Sequence, residues 1–191
     1  MLGIYQTAHS LIKNNIWGWE YSFAEACEFA DSVVIVVNKS EDGTREAIHK
    51  VLKYYDNYQI IDTNLSTDDR WFDGKLKNIG LQEIAKKEEF HLQLDADEVC
   101  LNSRAVWDNY LFQFKFSPAL CMAVGSVNFF KNWMGHYSVT HKQYLSKNNK
   151  CFRGPQIHAR KSDGGINTMM SDGCDLILEN GKFAPTIAID N

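Results

Sequence analysis

Three acidic side chains fall within four positions of the stretch FHLQLDADEVC, residues 90–100: Asp95, Asp97 and Glu98. They follow an apolar, strand-like run and repel one another at neutral pH, so the sequence calls for a positive charge. Alternate residues at the end of a strand can send the carboxylates of Asp95 and Asp97 toward one pocket. Oxygen ligands at that density suit a hard divalent ion, Mn²⁺ or Mg²⁺, and Mg²⁺ commonly completes its shell with water and substrate phosphates. A solvated acidic turn that ends a strand accounts for the same three residues.

The elements that would position these groups alternate along the first half. LGIYQTA reads as an opening strand, and SVVIVV, 32–37, as a strand covered on both faces because its hydrophobicity is unbroken. Ser22 and Glu25 have the spacing of a capping box and predict a helix start. NKSEDGT turns the chain, with Thr44 as the cap of a helix in which Ala47, Ile48, Val51, Leu52 and Tyr55 recur at helical spacing. YQII, 58–61, is a third strand. STDDRWFDG then links to a helix carrying Leu76, Ile79, Gly80 and Ile84 on one arc, and FHLQL brings Asp95 to its carboxyl end. The alternation predicts an α/β fold with a mostly parallel central sheet flanked by helices. Ligands of such sheets bind beyond the carboxyl ends of the strands.

After about residue 115, ALCMAVGSVNFF, HYSVTHKQYLS and CFRGPQIHAR read as strands joined at Gly, Asn and Asp, forming a smaller mixed or antiparallel layer. No repeat or linker divides the chain, so one domain is expected over 1–191, with halves 1–100 and 101–191. The closing APTIAIDN reads as a strand entering a further element, and a C-terminally shortened chain is expected.

In order and spacing, SFAEACEFADSVVIVVNKSEDGTREAIHKV and KLKNIGLQEIAKKEEFHLQLDADEV resemble the donor-binding half of family 2-like glycosyltransferases with the GT-A fold. The resemblance rests on Asp31 before VVIVV, the S-x-D-G-T turn in SEDGT, the basic-Asn-x-Gly helix start KNIG, 77–80, and the DxD motif Asp95-Ala96-Asp97. It covers roughly residues 1–100. It implies metal-dependent transfer of a sugar from a nucleoside-diphosphate-sugar donor to a glycan or other hydroxyl acceptor, the divalent ion stabilising the diphosphate leaving group. It also implies Asp97 as the first metal contact. Asp95 either joins it or orients ribose or metal-bound water, paired with Lys77. Asn78 holds the backbone near the acidic loop or faces the nucleotide, and Thr7 and Asn38 fall where the base is held. The chain departs from the family at Asn38 and Lys39, where an acidic residue is common, and its turn is one residue shorter. The base is therefore left open. Asp42 and Gly43 are explained by a turn before a helix.

An inverting transferase needs a general base at the acceptor hydroxyl, usually a carboxylate, and the resemblance puts it after DxD. Asp172 in NTMMSDGCDLIL is the candidate, while Asp175 suits a helix N-terminus and Asp163 a reverse turn. His136, His141 and His158 are candidate metal or phosphate contacts. Trp17, Trp19 and Trp71 pack in the core, anchor loops or stack on a sugar ring. Two further classes fit in part. A GT-A-like domain that binds a nucleotide sugar or glycan without turnover would suit the short length and the altered VNKSEDGT turn. A sugar-nucleotide pyrophosphorylase would bring a Gly- and Arg-rich loop after strand one, which YQTAHSLIKNN lacks.

Composition narrows the classes further. At 191 residues and 45% hydrophobic the chain can build a sizeable core. A net charge of −4 argues against a nucleic-acid partner. No apolar run approaches the roughly 20 residues of a membrane span, and MLGIYQTAHS has neither a basic flank nor a signal core, so a cytoplasmic location is expected. Cys27, Cys100, Cys121, Cys151 and Cys174 are odd in number and form no CxxC pair, which reads as free thiols.

Overall fold

Unbroken apolar strands separated by amphipathic helices require a sheet covered on both faces, and the computed structural model has that arrangement. It describes residues 1–69, 71–100, 102–129, 136–147, 152–153, 157–162, 165–170, 176–177 and 186–189, with side chains beyond Val124 described at 145–147. The first half runs β1 (Leu2–Ala8), α1 (Trp19–Phe29), β2 (Ser32–Asn38), α2 (Thr44–Leu52), β3 (Tyr58–Thr63), α3 (Phe72–Ile84) and β4 (Phe90–Gln93). There follow α4 (Arg104–Phe116), β5 (Cys121–Phe129), β6 (His136–Lys147), β7 (Phe152–Arg153), β8 (Ile157–Ser162), β9 (Gly165–Met170), β10 (Leu176–Ile177) and β11 (Thr186–Ile189).

Seven strands form one sheet in the order β11-β5-β6-β4-β1-β2-β3. The β3-β2-β1-β4 block and the β11-β5 pair are parallel. Within the sheet β6 alone runs against its neighbours, pairing antiparallel with both β4 and β5. Two small antiparallel pairs, β7 with β10 and β8 with β9, lie outside that sheet, whereas β5 and β6, expected in the smaller layer, belong to it.

Period-two alternation assigns the two faces. Leu2, Ile4 and Ala8 of β1 and Val33, Ile35 and Val37 of β2 pack with α1, α2 and α4, represented by Phe23, Ile48, Trp107 and Phe114. The opposite face carries Tyr5, Val34 and Val36 against Phe72, Leu76, Leu81 and Ile84 of α3. Helix α3 approaches closely because Gly80 has no side chain. A Cβ there would stand 2.9 Å from the Tyr5 ring and 3.3 Å from a Val36 methyl.

Two readings of local structure change. Helix α1 starts at Trp19 after Gly18, so Ser22 and Glu25 lie inside it and form no capping box. Helix α2 is entered from Gly43, whose φ of 81° favours glycine. Thr44 is therefore its first residue and caps nothing. Its hydroxyl instead accepts the Leu11 N–H at 2.9 Å, while Asp42 accepts the N–H of Thr44 at 3.1 Å and that of Lys13 at 2.9 Å. The S-x-D-G-T turn thus staples the β1–α1 loop to the β2–α2 loop. Burial works to raise the Asp42 carboxyl, but these N–H groups and the Ser40 and Thr44 hydroxyls outweigh it and hold the carboxyl well below the usual range.

Candidate functional site

The order β3-β2-β1-β4 reverses the winding direction between β1 and β4, and their carboxyl ends open the crevice where such sheets bind ligands. Their register pairs Tyr5 with Gln93. Leu92 and Leu94 belong to the α1 face, so alternation turns Gln93 and Asp95 toward α3. From α3 comes Lys77, three residues before Gly80 on the buried arc of the helix. Its ammonium lies 2.9 Å from Oδ1 of Asp95, with side chains 4% and 25% exposed. The Gln93 side-chain amide donates to the same oxygen at 2.8 Å. Lys77 is the positive charge that the acidic stretch calls for. It sits mid-helix, five residues past the start of α3 at Phe72, rather than at a helix start.

The acidic residues then separate by role. Glu98 turns back, accepting the Asp95 N–H through Oε2 at 2.8 Å, while its own N–H closes the 95–98 turn onto the Asp95 carbonyl at 3.0 Å. Asp97 is exposed at the tip of that turn, and no hydrogen bond or ion pair of Asp97 occurs among the described residues. From the other face Ser22 of α1 donates to the Glu98 carbonyl at 2.6 Å, stands 3.3 Å from that of Asp95, and accepts the side-chain amide of Gln6 at 2.7 Å. Glu25, one turn on, receives the Cys100 N–H at 3.5 Å. Burial pushes the Glu25 carboxyl up against that hydrogen bond, and Glu28 adds to the rise.

The remaining expected residues do not all gather at this end of the sheet. Thr7 lies within β1, paired with Val36, rather than after it. Asn38 closes β2, but its buried amide clamps Leu65 through both the carbonyl (3.1 Å) and the N–H (2.8 Å) and accepts the Thr63 hydroxyl at 2.9 Å. Asn78 is half-buried on α3. Asp31 holds the Leu2 N–H at 2.7 Å and the Arg104 guanidinium at 3.1 Å at the opposite end of the sheet. Trp19 is core, edge-on to Phe23, whereas Trp17 is 65% exposed. Asp163, Asp172 and Asp175 lie outside the described residues, as do Cys151 and Cys174. The backbones of His136 and His141 belong to β6 and that of His158 to β8, their side chains lying outside the described set. Burial pushes the Cys27 thiol up to about 12, and burial with the Glu25 and Glu98 charges pushes Cys100 up as well. Neither is a thiolate nucleophile.

Among the described residues no three His, Cys, Asp or Glu side chains converge as a metal cage. The donor set is two aspartates, one of whose oxygens is already engaged. That is too sparse and too hard for a structural zinc site. It fits Mg²⁺ or Mn²⁺, which are held by one or two carboxylates with water and phosphate completing the shell. Sequence reading passed over Ser22, Gln6 and Gln93 as parts of this site. The signal was present: Gln6 and Gln93 interrupt strands that are otherwise buried and apolar.

No family model matches the chain, and no curated protein matches it by sequence. Among solved structures, residues 1–349 of Staphylococcus aureus TarS superpose with a TM-score of 0.50 at 13% identity, over 69% of this chain and 36% of that one. The chain thus spans about a third of that structure's length. A synthase of 4-diphosphocytidyl-2C-methyl-D-erythritol from Anaerococcus prevotii gives 0.46 at 13% identity, covering 78% and 70% of the two chains. A mannosyltransferase from Pyrobaculum calidifontis, in complex with GDP-Man and Mn²⁺, gives 0.41 at 16%, covering 66% and 35%. With the strand order and the single reversed strand, the likeness to TarS defines the class: a GT-A-like α/β fold, mostly parallel and flanked by helices.

Proposed function

We propose that this chain is the nucleotide-sugar-binding part of a metal-dependent glycosyltransferase, moving a sugar from a nucleoside-diphosphate donor to a hydroxyl acceptor. The observation that carries the reading is the division of labour in the DxD motif at the β1/β4 crevice. A nearly buried Lys77 fixes Asp95, while Asp97 stands exposed on a pinned turn. Asp97 is the direct ligand, with Asp95 as the second. When bound there, a divalent cation supplies neutralisation of the charge that develops on the departing diphosphate. The chain's own contribution is to hold one carboxylate, through Lys77 and Gln93, in a single orientation and to pin the turn that carries the other. Thr7, near the carboxyl end of β1, and Asn78, next to Lys77 on α3, are proposed donor contacts. Asn38 is proposed to shape the base pocket indirectly, through its clamp on Leu65. Asp172 remains the proposed base for an inverting reaction.

Binding of UDP and GDP with and without Mn²⁺ tests the assignment. Parent protein should bind one of them in a Mn²⁺-dependent manner, and Asp97→Ala should lose that dependence. Equal Mn²⁺-dependent binding in the two proteins would remove Asp97 as the ligand. Following donor consumption in the same samples separates a transferase from a domain that binds without turnover.

A further inference from the structure

We propose that Ser22 is a positioning residue of this site: its hydroxyl, itself held by Gln6, fastens the 95–98 turn and thereby aims the Asp97 carboxylate. The inference rests on the reading of Asp97 as a metal ligand. A serine inside a helix usually turns its hydroxyl back to a carbonyl of its own preceding turn. Ser22 does not. It is fully buried in α1, and the carbonyls that its hydroxyl faces lie 73 and 76 residues further along the chain.

The geometry is that of a relay. The Gln6 amide, buried in β1, donates to the Ser22 oxygen at 2.7 Å. With a lone pair so engaged, the single hydroxyl proton is directed to the Glu98 carbonyl at 2.6 Å rather than to the Asp95 carbonyl at 3.3 Å. The two carbonyls bracket the Ala96 and Asp97 pair, and Ala96 is buried beneath them. The turn is therefore fixed on its inner side by Ser22 and at its first side chain by Lys77. The Asp97 side chain is left to project outward from a backbone that cannot swing. Groups that orient a metal ligand without touching the metal typically carry 10–100-fold of its affinity.

The test is Mn²⁺ binding to the full chain, measured from the spin-resonance signal of free Mn²⁺ well below the unfolding temperature. Ser22→Ala should weaken Mn²⁺ by about tenfold or more. Amide exchange across 95–100 should quicken in the metal-free variant. A hydroxyl that merely stabilised the fold would lower Tm and leave the Mn²⁺ affinity of the folded protein unchanged, and that result overturns the proposal. Should Ser22→Ala not fold, Gln6→Met removes the bond that orients the hydroxyl while keeping side-chain volume. The same weakening is expected there, and parental affinity in that variant overturns the proposal equally. Asp97→Ala run alongside keeps the two readings apart. Mn²⁺ binding that depends on Asp97 but ignores Ser22 and Gln6 refutes the positioning role alone. Binding that ignores Asp97 as well refutes the metal site and the positioning role together.

Discussion

Asp95 and Asp97 are two residues apart and chemically identical, yet the structure gives them opposite energetic characters. Asp95 neutralises an ammonium that is almost out of water. Truncating one partner of such a pair leaves the other charge desolvated, at a cost of about 3–5 kcal/mol. Since Asp95 is itself a quarter exposed, the lower end of that range is expected for Asp95→Ala. Asp97→Ala removes an exposed carboxylate without a partner among the described residues and should change stability by no more than about 0.5 kcal/mol. Urea unfolding of both variants in the absence of metal checks this, and equal destabilisation would contradict the division of roles. The acidic cluster is legible in the sequence because it is local, whereas the Lys77 partnership, reaching across the rest of α3 and β4, is legible only through the family resemblance. Ser22 and Glu25 were misread for the complementary reason. Their three-residue spacing satisfies a local capping rule, whereas the interaction that claims Ser22 joins elements more than 70 residues apart.

At the scale of elements, strands β1 to β4 and helices α2 and α3 follow from hydrophobic period, since each buries one clean stripe or an unbroken apolar run. Helix α4 was not read from the sequence at all. Its apolar residues do not keep to one face: Trp107, Leu111 and Phe114 are buried, but Phe112 and Phe116 are exposed and packed edge-on to each other at 5.2 Å. Its Ser103 N-cap makes no side-chain hydrogen bond, and its carboxyl end is held from a distance, the Lys147 ammonium reaching the carbonyls of Phe114 at 2.5 Å and Ser117 at 2.8 Å. Helix α3 shows what an element's distance from the sheet controls. In an open helix, Gly→Ala stabilises by about 0.5–1 kcal/mol. At Gly80 the new methyl would meet Tyr5, which is fully buried and cannot step aside, so the helix must lift. Overpacking of that kind costs about 1–3 kcal/mol, and Lys77 one turn away moves with it. Gly80→Ala should therefore lower both Tm and Mn²⁺-dependent nucleotide binding. A rise in Tm would show that α3 is not pressed against Tyr5.

At the scale of the whole molecule, β4 pairs antiparallel with β6, and His91 there stands opposite Ser146. The imidazole is buried, 2.9 Å from the Glu88 carbonyl and 3.3 Å from the Ser146 hydroxyl. Burial holds its pKa below the ordinary value, the Glu88 carbonyl pulling weakly the other way. The unfolded chain therefore takes up this proton first as pH falls, so the stability that neutral His91 allows is complete above about pH 6.5 and lost below it. One such group contributes a slope of at most about 1.4 kcal/mol per pH unit. Asp31 acts in a lower window. Burial raises its carboxyl, but the Leu2 N–H and Arg104 outweigh that and depress it, so its contribution fades only as pH falls below about 4. Glu25 has the opposite sign: its raised pKa gives stability at low pH that is lost as pH rises through the folded value. Because Glu25 and Asp31 also contribute to the pH dependence, the informative quantity is the difference between the parent and His91→Gln. Urea unfolding from pH 8 to pH 5 should give a constant difference above about pH 7, followed by a steeper decline for the parent than for the variant. Parallel curves across the whole range would mean that His91 is protonated alike in the folded and unfolded chains. In that case the pairing of β4 with β6 would be insensitive to its charge.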